Sequence, residues 1–290
     1  MSRGKTVGII CHTQLAEAND LADALNRRYS PGAKWWIAYE DALEQVQSRC
    51  DDSDLLITIG GDGTILRGIH EAARRNIPVL GVNMGRVGFM AEIDAGEAMD
   101  GIGWYLDGNA HIERRAMLRA DVPRENNRRV RSPYDALNDV VVARGAGVRV
   151  VEVDTVLNGT RIASYRGDGV VVATATGSTG YCLSLGGPVM DPESDNILLK
   201  PIAAHMSLQG GVILPSQSEL KLTLSHENPC TVSIDGCIDM SLGQGQTVEI
   251  HRSPHSALFL RQYSTSAFWG SVTRRLGMRQ EAVPRQIAEH

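Results

Sequence analysis

Residues 54–64 read Asp-Leu-Leu-Ile-Thr-Ile-Gly-Gly-Asp-Gly-Thr, and this stretch decides the fold. Asp54–Ile59 is apolar on both of its alternating faces, the mark of a strand buried inside a parallel sheet rather than half-exposed at a surface. It runs straight into Gly60-Gly61-Asp62-Gly63-Thr64, after which helical spacing resumes over Ile65–Arg75. The same alternation holds on either side. Val7–Cys11 reads as a buried strand, and Thr13–Tyr29 carries Leu15, Ala18, Leu21, Ala22 and Leu25 at helical spacing until Pro31-Gly32 ends it. Ala33–Ala38 predicts a strand, Glu40–Arg49 a helix, and Ile77–Val82 a further strand. Strand–helix alternation of this kind predicts a Rossmann-like parallel α/β domain. Such sheets place ligands at the carboxyl ends of their strands, and Gly60–Thr64 sits at one.

Beyond about residue 109 the pattern changes to strands with few helices. Val150–Leu157 alternates, Asn158-Gly159 follows, and Thr160–Arg166 resumes, which predicts a hairpin with a type I′ turn. Leu118–Val122, Ala136–Ala143, Gly169–Ala173, Leu220–Ser225, Pro229–Ile234 and Gln246–His251 also read as strands. Phe268–Met278 predicts a closing helix. The expected organisation is an α/β domain over 1–115, a β-rich sandwich-like domain over 116–265, and a C-terminal segment, 266–290, returning to the first domain.

Composition bounds the function. The chain has 290 residues, long enough for two domains, with 29 Lys plus Arg against 34 Asp plus Glu, a formal charge of -5. A protein built to grip nucleic acid usually has a basic balance, so nucleic acid is not an expected partner. Five scattered cysteines without a C-x-x-C pair argue against a disulfide framework or structural zinc, and for a reducing, cytoplasmic setting. No stretch approaches the ~18 apolar residues of a membrane span, so no membrane association is expected.

Three segments can carry chemistry. Glycines at a strand end let phosphate oxygens approach backbone N–H groups, and the next helix presents its positive end to the same anion. An Asp among them makes sense if it holds Mg²⁺ or orients a hydroxyl that attacks a phosphoryl group. An ordinary strand-to-helix turn capped by Asp62 fits the same five residues. Thr174–Tyr181, Thr-Ala-Thr-Gly-Ser-Thr-Gly-Tyr, crowds hydroxyls and glycines after a strand, and suits either a polar ligand or a surface turn. Asn138-Asp139 pairs an amide with a carboxylate, which suits ribose hydroxyls but is also common turn chemistry. No G-x-x-x-x-G-K-[ST] loop, G-x-G-x-x-G after the first strand, H-E-x-x-H or G-x-S-x-G is present. No side-chain metal cage is expected.

Taken in order, these segments resemble the NAD kinase family. The resemblance runs through Gly60–Thr64, residues 81–89 (Gly-Val-Asn-Met-Gly-Arg-Val-Gly-Phe), Ala136–Asp139, Tyr165–Gly169, Thr174–Tyr181 and Gly186-Gly187-Pro188, across roughly residues 5–275. It implies transfer of the ATP γ-phosphate to the 2′-hydroxyl of the adenosine ribose of NAD, with Mg²⁺ or a similar divalent ion, at a site between the two domains. It assigns Asp62 as the residue that orients and deprotonates the hydroxyl. Gly60, Gly61, Gly63 and Thr64 are implied at the phosphates, and Arg67, one helical turn on, looks placed to meet one. Dinucleotide contacts are implied for Asp62, Gly63, Asn138, Asp139, Arg149, Arg166, Asp168, Thr176, Thr179, Gly180, Tyr181, Cys182, Leu183 and Ser184. A homo-oligomer, dimer or tetramer, is a further implication.

This chain departs from the family pattern at Gly210-Gly211, where a cation is usual after His205, and at Cys237, where Gln is common after Asp-Gly. Both changes are expected to loosen the grip on the acceptor. The readings to set beside a 2′-kinase are a related kinase acting on another nucleoside or a lipid, and a nucleotide sensor without turnover. The missing polybasic run argues against the lipid, and retention of Asp62 with its glycines argues against the sensor.

Overall fold

Strand β3 (Leu55–Gly60) is buried along its whole length, and the first half of the chain is arranged around it. The computed structural model describes residues 5–31, 34–85, 88–124, 127–145, 150–204, 210–263, 268–270 and 272–273. β1 (Thr6–Cys11), β2 (Lys34–Tyr39), β3 and β4 (Val79–Asn83) form a parallel sheet in the order β4-β3-β1-β2. Helices α1 (Ala16–Tyr29), α2 (Leu43–Cys50) and α3 (Asp62–Ala72) connect them. Ala18, Ala22 and Leu25 of α1 pack with Val7, Ile9, Ile57, Ile59, Leu80 and Val82 in one apolar cluster. The same cluster takes in Ala98, Ile102 and Tyr105 of α4 (Ala95–Leu106). That helix has no counterpart in the sequence reading.

The chain divides into two compact units, Met1–Arg114 with Ser256–His290, and Arg115–His255. In the second unit a six-stranded antiparallel sheet has the order β13-β12-β11-β8-β15-β16. Its strands are β8 (Asp139–Arg144), β11 (Gly169–Ala173), β12 (Ile197–Ile202), β13 (Val212–Leu214), β15 (Cys230–Ile234) and β16 (Ile238–Leu242). Facing it are β9 (Val151–Leu157), β10 (Thr160–Gly167), β14 (Leu220–Leu224) and the start of β17 (Thr247–Arg261), with the hairpin of β6 (His111–Arg124) and β7 (Asn127–Ala136). One core cluster draws Val140, Val142, Val170, Val172 and Val232 from the first set, and Val153, Leu222, Val248 and Ile250 from the second. Alternating strands from two sheets that bury their inner faces against each other make a sandwich. The β9–β10 turn has Asn158 at φ 48° and Gly159 at φ 82°, both left-handed as a type I′ turn requires.

Three boundaries differ from expectation for physical reasons. The stretch Ala136–Ala143 is not one strand. β7 ends at Ala136 and β8 starts at Asp139, because the N–H groups of Leu137, Asn138 and Asp139 all turn onto the carboxylate of Asp235. Helix α3 begins at Asp62 rather than Ile65, so the acid stands in its first turn. β17 runs on to Arg261, and in the first unit its Phe259 pairs parallel with Val79 of β4. Of the closing helix, residues 268–270 and 272–273 are helical, and the remainder lies outside the described residues. No helix among the described residues is long and apolar enough to cross a membrane.

Candidate functional site

Two clusters, one in each unit, collect most of the residues singled out above. In the first unit the Gly60–Thr64 loop ends β3 at the carboxyl edge of the sheet. The Gly60 carbonyl accepts the Met84 N–H at 3.1 Å, and the Gly61 carbonyl accepts those of Thr64 and Ile65 at 3.0 and 3.2 Å. Asn83 braces the neighbouring loop, donating from Nδ2 to the Gly85 carbonyl at 2.9 Å and to Asp94 Oδ1 at 3.1 Å. The three glycines differ in kind. A Cβ on Gly60 would overlap the Thr64 side chain, whereas Gly61 and Gly63 face open space. Internal packing therefore requires only Gly60, and the two bare positions leave room for a ligand to approach the backbone.

Asp62 sits in the first turn of α3, whose N-terminal N–H groups favour an anion. Its carboxylate is fixed from outside the helix. Oδ2 accepts the Phe89 N–H at 3.1 Å and Oδ1 the Met90 N–H at 3.4 Å. Gly88 lies so close that a Cβ there would collide with the Asp62 carboxylate. Asp62 is thus a held group with a defined direction. Thr64 Oγ1 is buried and finds no hydrogen-bond partner. Arg67 points to Glu40, its Nη1 standing 3.4 Å from Oε1, and His12 Nε2 lies 3.8 Å from the same oxygen.

The second cluster gathers around Asn138-Asp139. Asp235, which occupies the left-handed region at φ 52°, is the anchor. Its Oδ2 accepts the Leu137 N–H at 2.7 Å, and Oδ1 accepts those of Asn138 and Asp139 at 2.7 and 2.9 Å. The segment 137–139 is further held where the Asn138 carbonyl accepts the Thr174 N–H at 2.9 Å. Gly177 packs so tightly on Asn138 that a Cβ would strike its backbone. Asp139 is buried, and burial first, then the charge of Asp235, pushes its carboxyl up to about 7. Partial burial, then the charges of Asp168 and Asp139, raises the phenol of the largely exposed Tyr181. Burial, opposed by Lys200, pushes the Cys182 thiol up to about 12. These mutual effects place Asp139, Asp168, Tyr181, Cys182 and Lys200 in one neighbourhood.

Most hydroxyls of the Thr174–Tyr181 loop serve the loop itself. Thr174 Oγ1 donates to the Leu137 carbonyl at 2.5 Å, Ser178 Oγ to Ala175 at 2.6 Å and Thr179 Oγ1 to Thr176 at 2.9 Å. Thr176 Oγ1 is buried without a partner, and the Tyr181 ring is exposed. The Gly180 carbonyl accepts the Leu183 N–H, and Leu183 with Ser184 completes the short helix α5 (Tyr181–Ser184). Asp168 Oδ1 accepts Arg144 Nε at 2.8 Å. Arg166 is exposed on β10, and Arg149 lies outside the described residues.

Sequence reasoning missed Asp235 and Arg144. Asp235-Gly236 entered the sequence reading only as the context of Cys237, and nothing local pointed to the carboxylate's three backbone partners, the nearest of them 96 residues away. Nothing local pointed to Arg144.

Residues 8–108 match the family model of the ATP-NAD kinase N-terminal domain, and residues 137–262 that of the C-terminal domain. A protein named NAD kinase from Dehalococcoides mccartyi (strain CBDB1) is 36% identical over 280 residues, covering 96% of this chain and 98% of its own. One of the same name from Chloroflexus aurantiacus (strain ATCC 29366 / DSM 635 / J-10-fl) is 36% identical over 259 residues, with 89% and 92% covered. Among solved structures, yeast NADH kinase complexed with NADH superposes with a TM-score of 0.85 at 21% identity, over 98% of this chain and 90% of that one. An NAD kinase from Archaeoglobus fulgidus in complex with ATP gives 0.72 at 21% identity, over 93% and 98%.

Proposed function

The chain belongs to the NAD kinase family and is a phosphotransferase, and on that premise we propose that it transfers the γ-phosphate of ATP to the 2′-hydroxyl of the adenosine ribose of NAD, giving NADP. The observation that carries this reading is Asp62, held by the N–H groups of Phe89 and Met90 beside two glycines that open onto free space. Phosphoryl transfer asks chiefly for alignment and charge neutralisation rather than a strong base. A carboxylate with both oxygens already fixed supplies alignment, and its remaining lone pairs are able to accept the hydroxyl proton. Gly60, Gly61, Gly63 and Thr64 take the phosphates at the start of α3. Arg67 contributes there as the partner of Glu40.

Asn138 and Asp139, anchored by Asp235, hold the dinucleotide, with Asp168, Thr176, Thr179, Gly180, Tyr181, Cys182, Leu183 and Ser184 around them. Arg149 and Arg166 complete the assignment. Thr176 Oγ1, buried and unpartnered, supports a polar ligand at this loop.

A divalent ion, Mg²⁺ for preference, neutralises phosphate charge when bound. Mg²⁺ is commonly held by one or two carboxylates together with substrate phosphates. Asp62 suits that mode, offering one carboxylate at an anion-binding helix end. A homo-oligomer and a cytoplasmic location complete the proposal, the latter supported by five scattered cysteines without a C-x-x-C pair.

The test is direct. Purified protein with ATP, Mg²⁺ and NAD is assayed for NADP by an NADP-specific dehydrogenase. Absence of NADP, with another nucleoside or lipid phosphorylated instead, overturns the acceptor; absence of any transfer while nucleotides bind points to a sensor.

A further inference from the structure

Arg261 lies 171 residues beyond Met90 in sequence, yet in the first unit it is buried against the carbonyl side of Met90, whose N–H holds Asp62. Its side chain is 7% exposed, as is that of Glu113, with Glu92 at 8%. Nε donates to Glu113 Oε1 at 3.2 Å, and Nη1 donates both to Glu92 Oε2 at 3.1 Å and to the Met90 carbonyl at 3.0 Å. The other face of Met90 is its N–H, which donates to Asp62 Oδ1. Glu92 is itself fixed: Oε1 accepts the Gln262 N–H at 2.8 Å and the Tyr105 phenol at 3.2 Å. The guanidinium also stacks over the Phe259 ring, 4.8 Å from its centroid.

We propose that Arg261 is a positioning residue for phosphoryl transfer, setting the Phe89-Met90 peptides and through them the direction of the Asp62 carboxylate. Two glutamates around one guanidinium make an expensive arrangement to bury, and an apolar trio of the same volume would serve stability equally well or better. What an apolar trio cannot do is donate to the Met90 carbonyl. Only a forked, planar cation can satisfy Glu92, Glu113 and that carbonyl at once. The bonds of one residue, Met90, then connect a rigid ion cluster to the reacting group. Small errors in such alignment are costly, since a misplacement of about 1 Å can lower rates by ~10²-fold.

The proposal rests on the reading of Asp62 as the group that orients the hydroxyl, so its test separates the two. Arg261→Lys keeps the charge that neutralises the glutamates but cannot reach all three acceptors. Steady-state kinetics with ATP and NAD are measured for the wild type, Arg261→Lys, Asp62→Asn and the double variant, each verified as folded by circular dichroism. The expected result is a fall of about 10-fold or more in kcat for Arg261→Lys with both KM values held within about 2-fold. In the Asp62→Asn background, the same change costs less than about 2-fold, because the group it positions is gone. Should Arg261→Lys not fold, Glu113→Gln, which leaves the Met90 contact in place but loosens the guanidinium, is read through the same cycle. Equal losses in both backgrounds, an effect confined to KM, or unchanged kcat in a folded variant overturns the proposal. Near-normal turnover in Asp62→Asn alone overturns the reading of Asp62 instead.

Discussion

Replacing Asp139 by asparagine gives the sharpest test of the second cluster, because the effect can be worked out in sign and size. In the folded protein Asp139 is 6% exposed and its carboxyl is pushed from 3.8 up to about 7, by burial first and by the Asp235 charge second. In the unfolded chain the same group titrates near ~3.9. Below that pH it is protonated in both states and favours neither. Between the two values the native state keeps a proton that the unfolded state has released, so stability falls as pH rises. Above about 7 the penalty is complete. A difference of about three pKa units at ~1.36 kcal/mol each amounts to ~4 kcal/mol. The amide of Asp139→Asn has nearly the same shape as the carboxyl and never ionises, so the substitution is expected to abolish this slope. Carboxylates held low, such as Asp154 and Glu249, act in the opposite sense but are common to both proteins and drop out of the difference. Urea unfolding followed by far-ultraviolet circular dichroism at pH 5, 6, 7 and 8 measures it. Relative to the wild type the variant should already be ahead by ~1.5 kcal/mol at pH 5, gain further up to about pH 7, and level off between pH 7 and 8. Parallel pH profiles for the two proteins would refute the assignment of the proton to Asp139.

Asp235→Asn keeps an acceptor for Asn138 and Asp139 but sets an NH₂ against the Leu137 N–H. A buried donor left unmade costs about 1–3 kcal/mol, and the loosened segment should raise KM for NAD well above any change for ATP, as initial-rate kinetics will show. The glycines separate by role: Gly60→Ala should destabilise the protein by about 1–3 kcal/mol through overpacking on Thr64, read as a lowered Tm. Gly61→Ala should fold normally and lose ATP affinity, read by calorimetric titration.

How much of this was legible depended on how local each signal was. The strand Leu55–Gly60 and the turn Asn158-Gly159 are written in consecutive residues, and both form as their patterns dictate. Helix α4 was hidden by its own glycines: Gly96, Gly101 and Gly103 lower helix propensity, although Ala98, Ile102 and Tyr105 keep helical spacing on the buried face. β12 was hidden because Lys200 and Pro201 interrupt its apolar run, while in the fold all six residues are buried. The anchoring residues lay furthest from reach. Asp235 and Arg261 act on backbone groups 96 to 171 residues away, and no periodicity carries such a pairing. The sequence therefore singled out residues proposed to face a ligand, and left out those that hold them in place.

The two clusters share a charge problem. The chain carries a formal charge of -5, and each cluster is built on carboxylates held by backbone N–H groups: Asp62 by Phe89 and Met90, Asp235 by Leu137, Asn138 and Asp139. The neighbouring arginines are committed to acids, Arg67 to Glu40, Arg144 to Asp168, Arg261 to Glu92 and Glu113. Binding a nucleoside triphosphate beside Asp62, as proposed, adds several negative charges to the first unit, where Arg67 and Arg261 are already neutralised. The helix N-terminus of α3 offsets part of that, worth about half an elementary charge. In the proposed reaction the rest enters with the nucleotide as a divalent ion. Two measurements follow from this. Mg²⁺ alone should leave the Tm unchanged, because no side-chain cage takes it among the described residues, whereas ATP with Mg²⁺ should raise Tm and ATP with a chelator should not. Turnover should stop in the chelator and return with Mg²⁺ or another oxygen-preferring ion. A rise in Tm with Mg²⁺ alone, or full activity in the chelator, would show that the charge is balanced by residues other than those named here.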